Sequence, residues 1–237
     1  INNVPIISED EVSPEKVAKY LRGYWGIQKG SIDNLSEVIE KNGVIIIQID
    51  FETDKIDGRT IVTETGHPII FINKLASGDR QRFTLAHELG HVVLHINRMS
   101  NFAADEEDEA FAFASEFLMP LSECQYDLND KISIEKLADL KRIWKISMQA
   151  ILYRGQKSKL VNYNRCRYLW SLINAKGWKK REPIDIPKET PTLIDRMIKM
   201  FVGELAYSKQ DLSKILNLNL AELEERYFRN TNKLRIA

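Results

Sequence analysis

The chain is poor in cysteine and histidine. It has two cysteines and four histidines among 237 residues, and Cys124 and Cys166 form no C-x-x-C pair. The few cysteines exclude a disulfide framework, and their spacing excludes a zinc site of the kind built from paired cysteines. Unpaired cysteines are typical of a reducing compartment, so we expect a cytoplasmic protein with free thiols.

The chain also lacks a long apolar run and a net charge. No run is long enough for a signal segment or a membrane span, and we expect no membrane partner. The 34 lysines and arginines balance the 34 aspartates and glutamates, so no overall field draws the protein to nucleic acid. Because the first residue is Ile1 and not methionine, we expect an N-terminal part to be missing.

The periodicity of the sequence predicts an α+β fold that is mostly helical. Two helices are expected at about 14–24 and 33–41. Three β-rich runs follow, at 44–49, 58–63 and 68–73. Their short connections predict a small antiparallel three-stranded sheet. From Asp79 onward the pattern is helical, apart from a basic, proline-bearing stretch at 179–191 that is typical of a linker.

Three of the four histidines lie within "LAHELGHVVLH" (85–95). On a helical wheel with Asp79 as N-cap, His87 and His91 lie one turn apart on a common face, as the metal-binding H-E-x-x-H pattern requires. Glu88 lies about a quarter turn from His87. It can therefore reach a water at the metal without ligating the ion, which is the position of a general base. The alternative is an exposed polar face with Glu88 as a salt-bridging neighbour.

The other two histidines are predicted to have different roles. His95 is rotated by about 80° from His87, which favours support of the site or capping of the helix C-terminus over direct ligation. As a fourth ligand, His95 would remove the open position that catalysis needs. His67, before Pro68 at a strand edge, is predicted to be structural.

A catalytic zinc site needs a third protein ligand. The acidic stretch 104–120 is the source we expect, because the wheel turns Glu106 and Glu107 toward its apolar side. Three other carboxylates point away from that side: Asp108, Glu109 and Glu116. An inward carboxylate is costly unless it is paired or binds a metal. The alternative is that both only complement the positive end of a helix beginning near Asp105. The wheel does not choose between Glu106 and Glu107.

"RQRFTLAHELGHVVLH" (80–95) followed by "EDEAFAFASEFLMP" (107–120) resembles the ImmA/IrrE-type metallopeptidases. "IDGRTIV" and "PIIFIN" fit the same pattern, and the resemblance spans roughly 15–155. It implies that Glu107, thirteen residues before the proline of "LMP", is the third ligand of Zn²⁺. Manganese and iron are the alternatives for such a donor set. The chain departs from the family at Ala110-Phe111, where Ala-Asn is common, and this affects local packing more than metal binding.

The resemblance further implies a minimal zincin core with an active-site helix. Its activity would be that of a cytoplasmic zinc protease that cuts a helix-turn-helix repressor of a mobile element or stress response. Zn²⁺ would be held by His87, His91 and Glu107, with Glu88 as the catalytic base. A further donor is needed for the negative oxygen of the intermediate, and Tyr153 and Arg154 are candidates. The alternative for these two residues is an ordinary amphipathic helix.

We predict three parts of the chain. Residues 1–128 form the zincin-like core, 129–178 a helix-turn-helix-like segment packed on it, and 179–237 a linker and C-terminal helical segment.

The helix-turn-helix outline at 133–159, with Ser133 and Ser147 as caps, favours a second class of function. In this alternative the protein is a DNA-binding transcriptional regulator with a structural or degenerate metal site. Basic residues such as Lys145 could meet phosphates. The segment has no clear base-reading side chains and the chain no net charge, so DNA binding is not favoured. The pattern does not indicate a role for the C-terminal helices.

Overall fold

The computed structural model describes residues 3–5, 12–53, 55–96 and 103–228. The strands are β1 (Ile45–Ile49), β2 (Gly58–Val62) and β3 (Pro68–Asn73). The helices are α1 (Pro14–Tyr24), α2 (Leu35–Lys41), α3 (Gly78–Leu94), α4 (Ala103–Leu118), α5 (Leu121–Cys124), α6 (Ile134–Trp144), α7 (Met148–Lys157), α8 (Tyr163–Ala175), α9 (Leu193–Gly203), α10 (Lys209–Leu216) and α11 (Leu220–Leu223), the last followed by a π-helical turn at Glu224–Phe228. None of the helices among the described residues is long and apolar enough to cross a membrane.

The fold is α+β and mostly helical, as predicted, but the sheet is mixed and not antiparallel. The strand order is β1-β3-β2, with β3 parallel to β1 and antiparallel to β2. Consecutive strands alternate in direction, as short connections favour, but β1 pairs with β3 and not with its sequence neighbour β2. The reason is burial. β3 carries the fully buried Ile70 and Ile72 and lies in the centre of the sheet, whereas β2 has no fully buried residue and lies at one edge.

Helix α3 lies between the sheet and α4, in the core of the first compact unit, which ends at Thr190. Its buried face includes Leu85, Leu89 and Val92, which recur at the helical spacing of an apolar stripe. The helix begins earlier than predicted, because Ser77 and not Asp79 is the N-cap residue.

The stretch predicted as a linker packs on this first unit up to residue 190. Ile186 is buried, and the Glu189 carboxylate forms an ion pair with Arg82 and accepts the backbone N–H of Ser36 at 2.7 Å. The basic composition of 179–191 is typical of an exposed linker, but the partners of these side chains are distant in sequence. The domain boundaries at 128 and 178 remain a prediction.

A buried charge cluster fixes the first turn of α3 to α6. Lys141 Nζ lies 2.6 Å from Asp79 Oδ2 and 2.8 Å from Glu182 Oε2, and all three side chains are at least 92% buried. Burial by itself would raise the pKa of Asp79, but hydrogen bonds from Lys141 and Ser77 and the Lys141 charge outweigh it, and the pKa is lowered. A carboxyl with a lowered folded-state pKa stabilises the fold at neutral pH, and this contribution is lost as the pH falls through that pKa.

A second compact unit begins at Pro191 and contains α9, α10 and α11. Its small core is formed by Ile198, Leu212 and Leu223. The hydroxyl of Ser208 accepts the backbone N–H of Asp211, whose carboxylate accepts the Ser208 backbone N–H, so α10 begins with a complete capping box.

We expect Lys141→Met to lower the free energy of unfolding by about 3–5 kcal/mol at neutral pH, because two buried carboxylates lose their cation. The matched control is Arg142→Met. Arg142 forms an exposed pair with Asp139 on the same helix, and its loss should cost no more than about 1 kcal/mol. Urea unfolding of both variants tests this, and equal losses would contradict the role assigned to the cluster.

Candidate metal centre

Helices α3 and α4 bring three metal-binding side chains together. His87 Nε2 lies 3.1 Å from His91 Nε2 and 3.1 Å from Glu107 Oε2, and His91 Nε2 lies 3.5 Å from Glu107 Oε1. Among the described residues, this is the group whose donor atoms meet closely enough for one metal ion, and Glu106 is not part of it. The Glu107 side chain is 67% exposed, so it does not face inward as the wheel indicated but reaches the histidines from the rim.

The donor set fits zinc. Two imidazole nitrogens and one carboxylate oxygen are a typical set for a catalytic zinc with one open position. In a tetrahedron with bonds of about 2.0–2.1 Å, neighbouring donors lie about 3.3–3.4 Å apart. The separations of 3.1–3.5 Å found here are close to that value.

The two imidazoles are held in the form that binds metals. Burial lowers the pKa of His87, although the Glu107 charge acts in the opposite direction. Burial also lowers the pKa of His91, and the neighbouring His87 adds to this effect. Neutral rings keep one nitrogen lone pair available for a metal ion.

Glu88 is buried beside the histidines and does not belong to their donor group. Burial raises the pKa of its carboxyl, while a hydrogen bond from Thr60 and the nearby His91 oppose the shift. The Thr60 hydroxyl donates to Glu88 Oε2 at 2.6 Å. A buried carboxylate with a raised pKa is suited to accept a proton in a reaction near neutral pH.

The contact between β2 and α3 depends on Gly58. A β-carbon at Gly58 would lie 2.5 Å from Thr84 Cγ2 and 3.1 Å from Glu88 Cγ. The missing side chain lets β2 approach closely enough for Thr60 to reach Glu88. Sequence reasoning did not single out Thr60, because the only signal was its place in the run "GRTIV" and the contact spans 28 residues.

A cleft of about 400 Å³ opens over the site. Its walls include the two basic residues Lys55 and Arg59 from the β2 side, as well as His87, Glu88 and Glu107. A larger cavity of about 960 Å³ shares three of the residues that line the cleft: Asp57, Phe83 and Thr84. The two spaces therefore adjoin each other.

The two suggested oxyanion donors do not line this cleft. Arg154 is buried and forms an ion pair with Glu116, and the Tyr153 ring packs edge-on against Phe111 with centroids 4.8 Å apart. Both contacts belong to the packing of α7 on α4. Arg59 is a cation that does line the cleft.

The remaining two histidines lie outside the donor group. His95 is the C-cap residue of α3, and its Nδ1 lies 2.9 Å from His91 Nδ1. His67 is exposed, and its Nδ1 lies 3.0 Å from Thr65 Oγ1.

The helix-turn-helix outline is present as α6 and α7, capped by Ser133 and Ser147 as predicted. The Glu182 carboxylate accepts the backbone N–H groups of Met148 and Gln149 at the start of α7. A recognition helix reads bases with its N-terminal residues. A carboxylate at this end makes α7 a poor reader of DNA.

Comparison with known proteins finds a family match for part of the chain. Residues 39–155 match the family of IrrE N-terminal-like domains, Peptidase_M78. A solved chain described as a Mycobacterium tuberculosis transcriptional regulator is similar over 60% of this chain and 46% of that chain, with 17% identity and a TM-score of 0.44. The present chain thus spans less than half of that protein's length. No curated protein matches the chain.

In the metal-free protein we expect the carboxyl of Glu88 to titrate above the ordinary glutamate pKa of about 4.3, because it is buried. Thr60→Val removes a hydrogen bond to the charged form and should raise this pKa further. Carbon-13 NMR of the labelled side-chain carboxyl measures both values. Thr63→Val, which removes a hydroxyl that is bonded to the backbone N–H of His67 and not to Glu88, is the control. An ordinary or lowered pKa for Glu88 would contradict the assigned environment.

Proposed function

Residues 39–155 belong to the family of IrrE N-terminal-like domains, and we propose that the protein is a zinc metallopeptidase that hydrolyses a peptide bond in a protein partner. The observation that carries the proposal is the convergence of His87, His91 and Glu107 beside the buried carboxylate of Glu88. A structural zinc site normally has four protein ligands. Three ligands beside a buried base are the arrangement of a catalytic site.

Each residue has a defined part in this proposal. His87, His91 and Glu107 hold the ion, and the chemistry that zinc supplies when bound is Lewis-acid activation of water and of the peptide carbonyl. Glu88 accepts the proton of the attacking water while the water oxygen bonds to the carbonyl carbon. Glu88 then returns the proton to the amine nitrogen as the C–N bond breaks. Thr60 holds Glu88 in place through its hydroxyl.

The edge of the sheet supports a peptide as substrate. β2 pairs only with β3 within the described sheet, and it borders the cleft through Gly58 and Arg59. An edge strand offers backbone N–H and C=O groups to an extended peptide. The Arg59 guanidinium is a donor available to the negative oxygen of the tetrahedral intermediate.

For the partner, we extend the proposal to a helix-turn-helix repressor of a mobile element or stress response, on the strength of the family resemblance of the motifs. A cytoplasmic setting fits such a partner and the two free, buried cysteines. DNA is the less favoured partner, because Glu182 covers the start of α7.

Metal content tests the site. We expect about one zinc per chain in the wild type and in Glu88→Gln, and a loss of zinc in Glu107→Ala, because three ligands hold zinc far better than two. Glu106→Ala is the matched control on the same helix and should retain the ion. Elemental analysis of the four purified proteins measures this. Zinc retained in Glu107→Ala and lost in Glu106→Ala would show that Glu106, and not Glu107, is the third ligand.

Cleavage tests the reaction. Labelling of new protein N-termini in a cell lysate should reveal cuts made by the zinc-loaded wild type. Glu88→Gln, equally loaded, should be slower by about 10²–10⁴-fold, because it cannot take up a proton. Equal cleavage by both proteins would remove Glu88 from the mechanism. A zinc-loaded wild type that cuts nothing, but binds DNA in a salt-dependent way, would favour the regulator.

A further inference from the structure

A chain of side chains leads from the metal centre to α4. His95 Nδ1 lies 2.9 Å from His91 Nδ1, and His95 Nε2 lies 2.9 Å from Glu109 Oε2. The His95 side chain is only 6% exposed. Both ring nitrogens are therefore engaged by side chains in a place with little access for water.

The positions of the protons along this chain follow from counting donors and acceptors. An ionised carboxylate only accepts hydrogen bonds, so His95 Nε2 carries the proton that Glu109 accepts. With His95 neutral, its single N–H is the one on Nε2, which leaves Nδ1 as an acceptor. His91 Nδ1 must then donate to it. The lone pair of His91 is left on Nε2, the atom that lies 3.1 Å from His87 Nε2.

We propose that His95 and Glu109 are positioning residues, which hold His91 in the tautomer and ring orientation that bind the metal. The inference rests on the proposed function, because it assumes a metal ion at His87, His91 and Glu107. It also assigns His95 a place outside the ligand set, since its Nδ1 faces the side of the His91 ring away from the donor group.

The arrangement differs from that of an ordinary helix cap. A basic residue that only caps a helix C-terminus directs its side chain at the last carbonyl groups. The ring nitrogens of His95 instead contact His91 and Glu109. Glu109 lies on α4 two residues after Glu107, so the same contact ties the helix that carries the third ligand to the helix that carries the histidines.

Zinc affinity is the first test, measured on the full chain by competition with a chromophoric chelator. Hydrogen-bond partners of metal ligands typically change metal affinity by about 10–100-fold. We expect losses in this range for His95→Phe, which keeps an aromatic ring without an acceptor, and for Glu109→Leu. Glu109→Gln keeps an acceptor oxygen and should restore most of the affinity. Asp108→Asn, which removes the adjacent carboxylate on α4, is the control and should change affinity less than about twofold.

The tautomer of His91 is the second test, and it needs no metal. Long-range proton–nitrogen NMR of the metal-free wild type should show His91 protonated on Nδ1, and this preference should be lost in His95→Phe. A proton on Nε2 in the wild type would overturn the inference even if the variants fold poorly.

The zinc affinities separate the positioning role of His95 and Glu109 from the proposed function. Zinc binding by the wild type with unchanged affinity in His95→Phe and Glu109→Leu overturns the positioning role and leaves the proposed function standing. A wild type that binds no zinc overturns the proposed function, and the tautomer then decides whether the histidine chain exists.

Discussion

Helices α3 and α4 touch backbone to backbone at Gly90, where a β-carbon would lie 3.1 Å from the Cα of Ala110. Every residue of the metal centre on these helices is within three positions of this contact. His87 and His91 flank Gly90, and Glu107 precedes Ala110 by three residues. A larger residue at position 90 would push the helices apart and separate the donor atoms. The glycine costs some helix propensity, and the close crossing it allows is what turns two helices into one binding site.

The opposite end of α3 is fixed by charge. Lys141 neutralises Asp79 in the first turn, and Arg82, one turn further on, pairs with Glu189 from the stretch that precedes the second unit. Such buried pairs add little net stability compared with apolar residues, but they are strongly directional. With its first turn fixed by ion pairs and its C-terminal half by a backbone contact, α3 presents its histidines from a rigid support, as binding sites require.

The sequence was sufficient where the information is local. On a helix, the spacing of His87, Glu88 and His91 is enough to put the two histidines on one face with Glu88 beside them. Caps such as Ser147 depend on neighbours three residues away. The third ligand was different: the wheel could not separate Glu106 from Glu107, and only the family resemblance chose Glu107. The inward orientation indicated by the wheel was wrong for Glu107. Its side chain is exposed and reaches the two histidines from the rim of the site.

Contacts between distant segments were not predicted, and the reason is the same for all of them. Periodicity reports which face of an element is apolar, but not which partner covers it. Glu116 was expected to point away from the core and is buried, because Arg154 from α7 neutralises it. The pairing of β1 with β3, the hydrogen bond from Thr60 to Glu88 and the packing of Glu189 on Arg82 are likewise contacts between segments that no local pattern connects.

We propose that two imidazoles and one carboxylate form a metal site with an open position. X-ray absorption at the zinc edge of the zinc-loaded full chain tests it most directly, since scattering from imidazole rings counts the histidines. We expect four nitrogen or oxygen neighbours at about 2.0–2.1 Å, two of them from imidazoles. A third imidazole would place His95 in the ligand set and close the open position, and a sulfur neighbour at about 2.3 Å would mean that a cysteine binds the metal; either result would contradict the account.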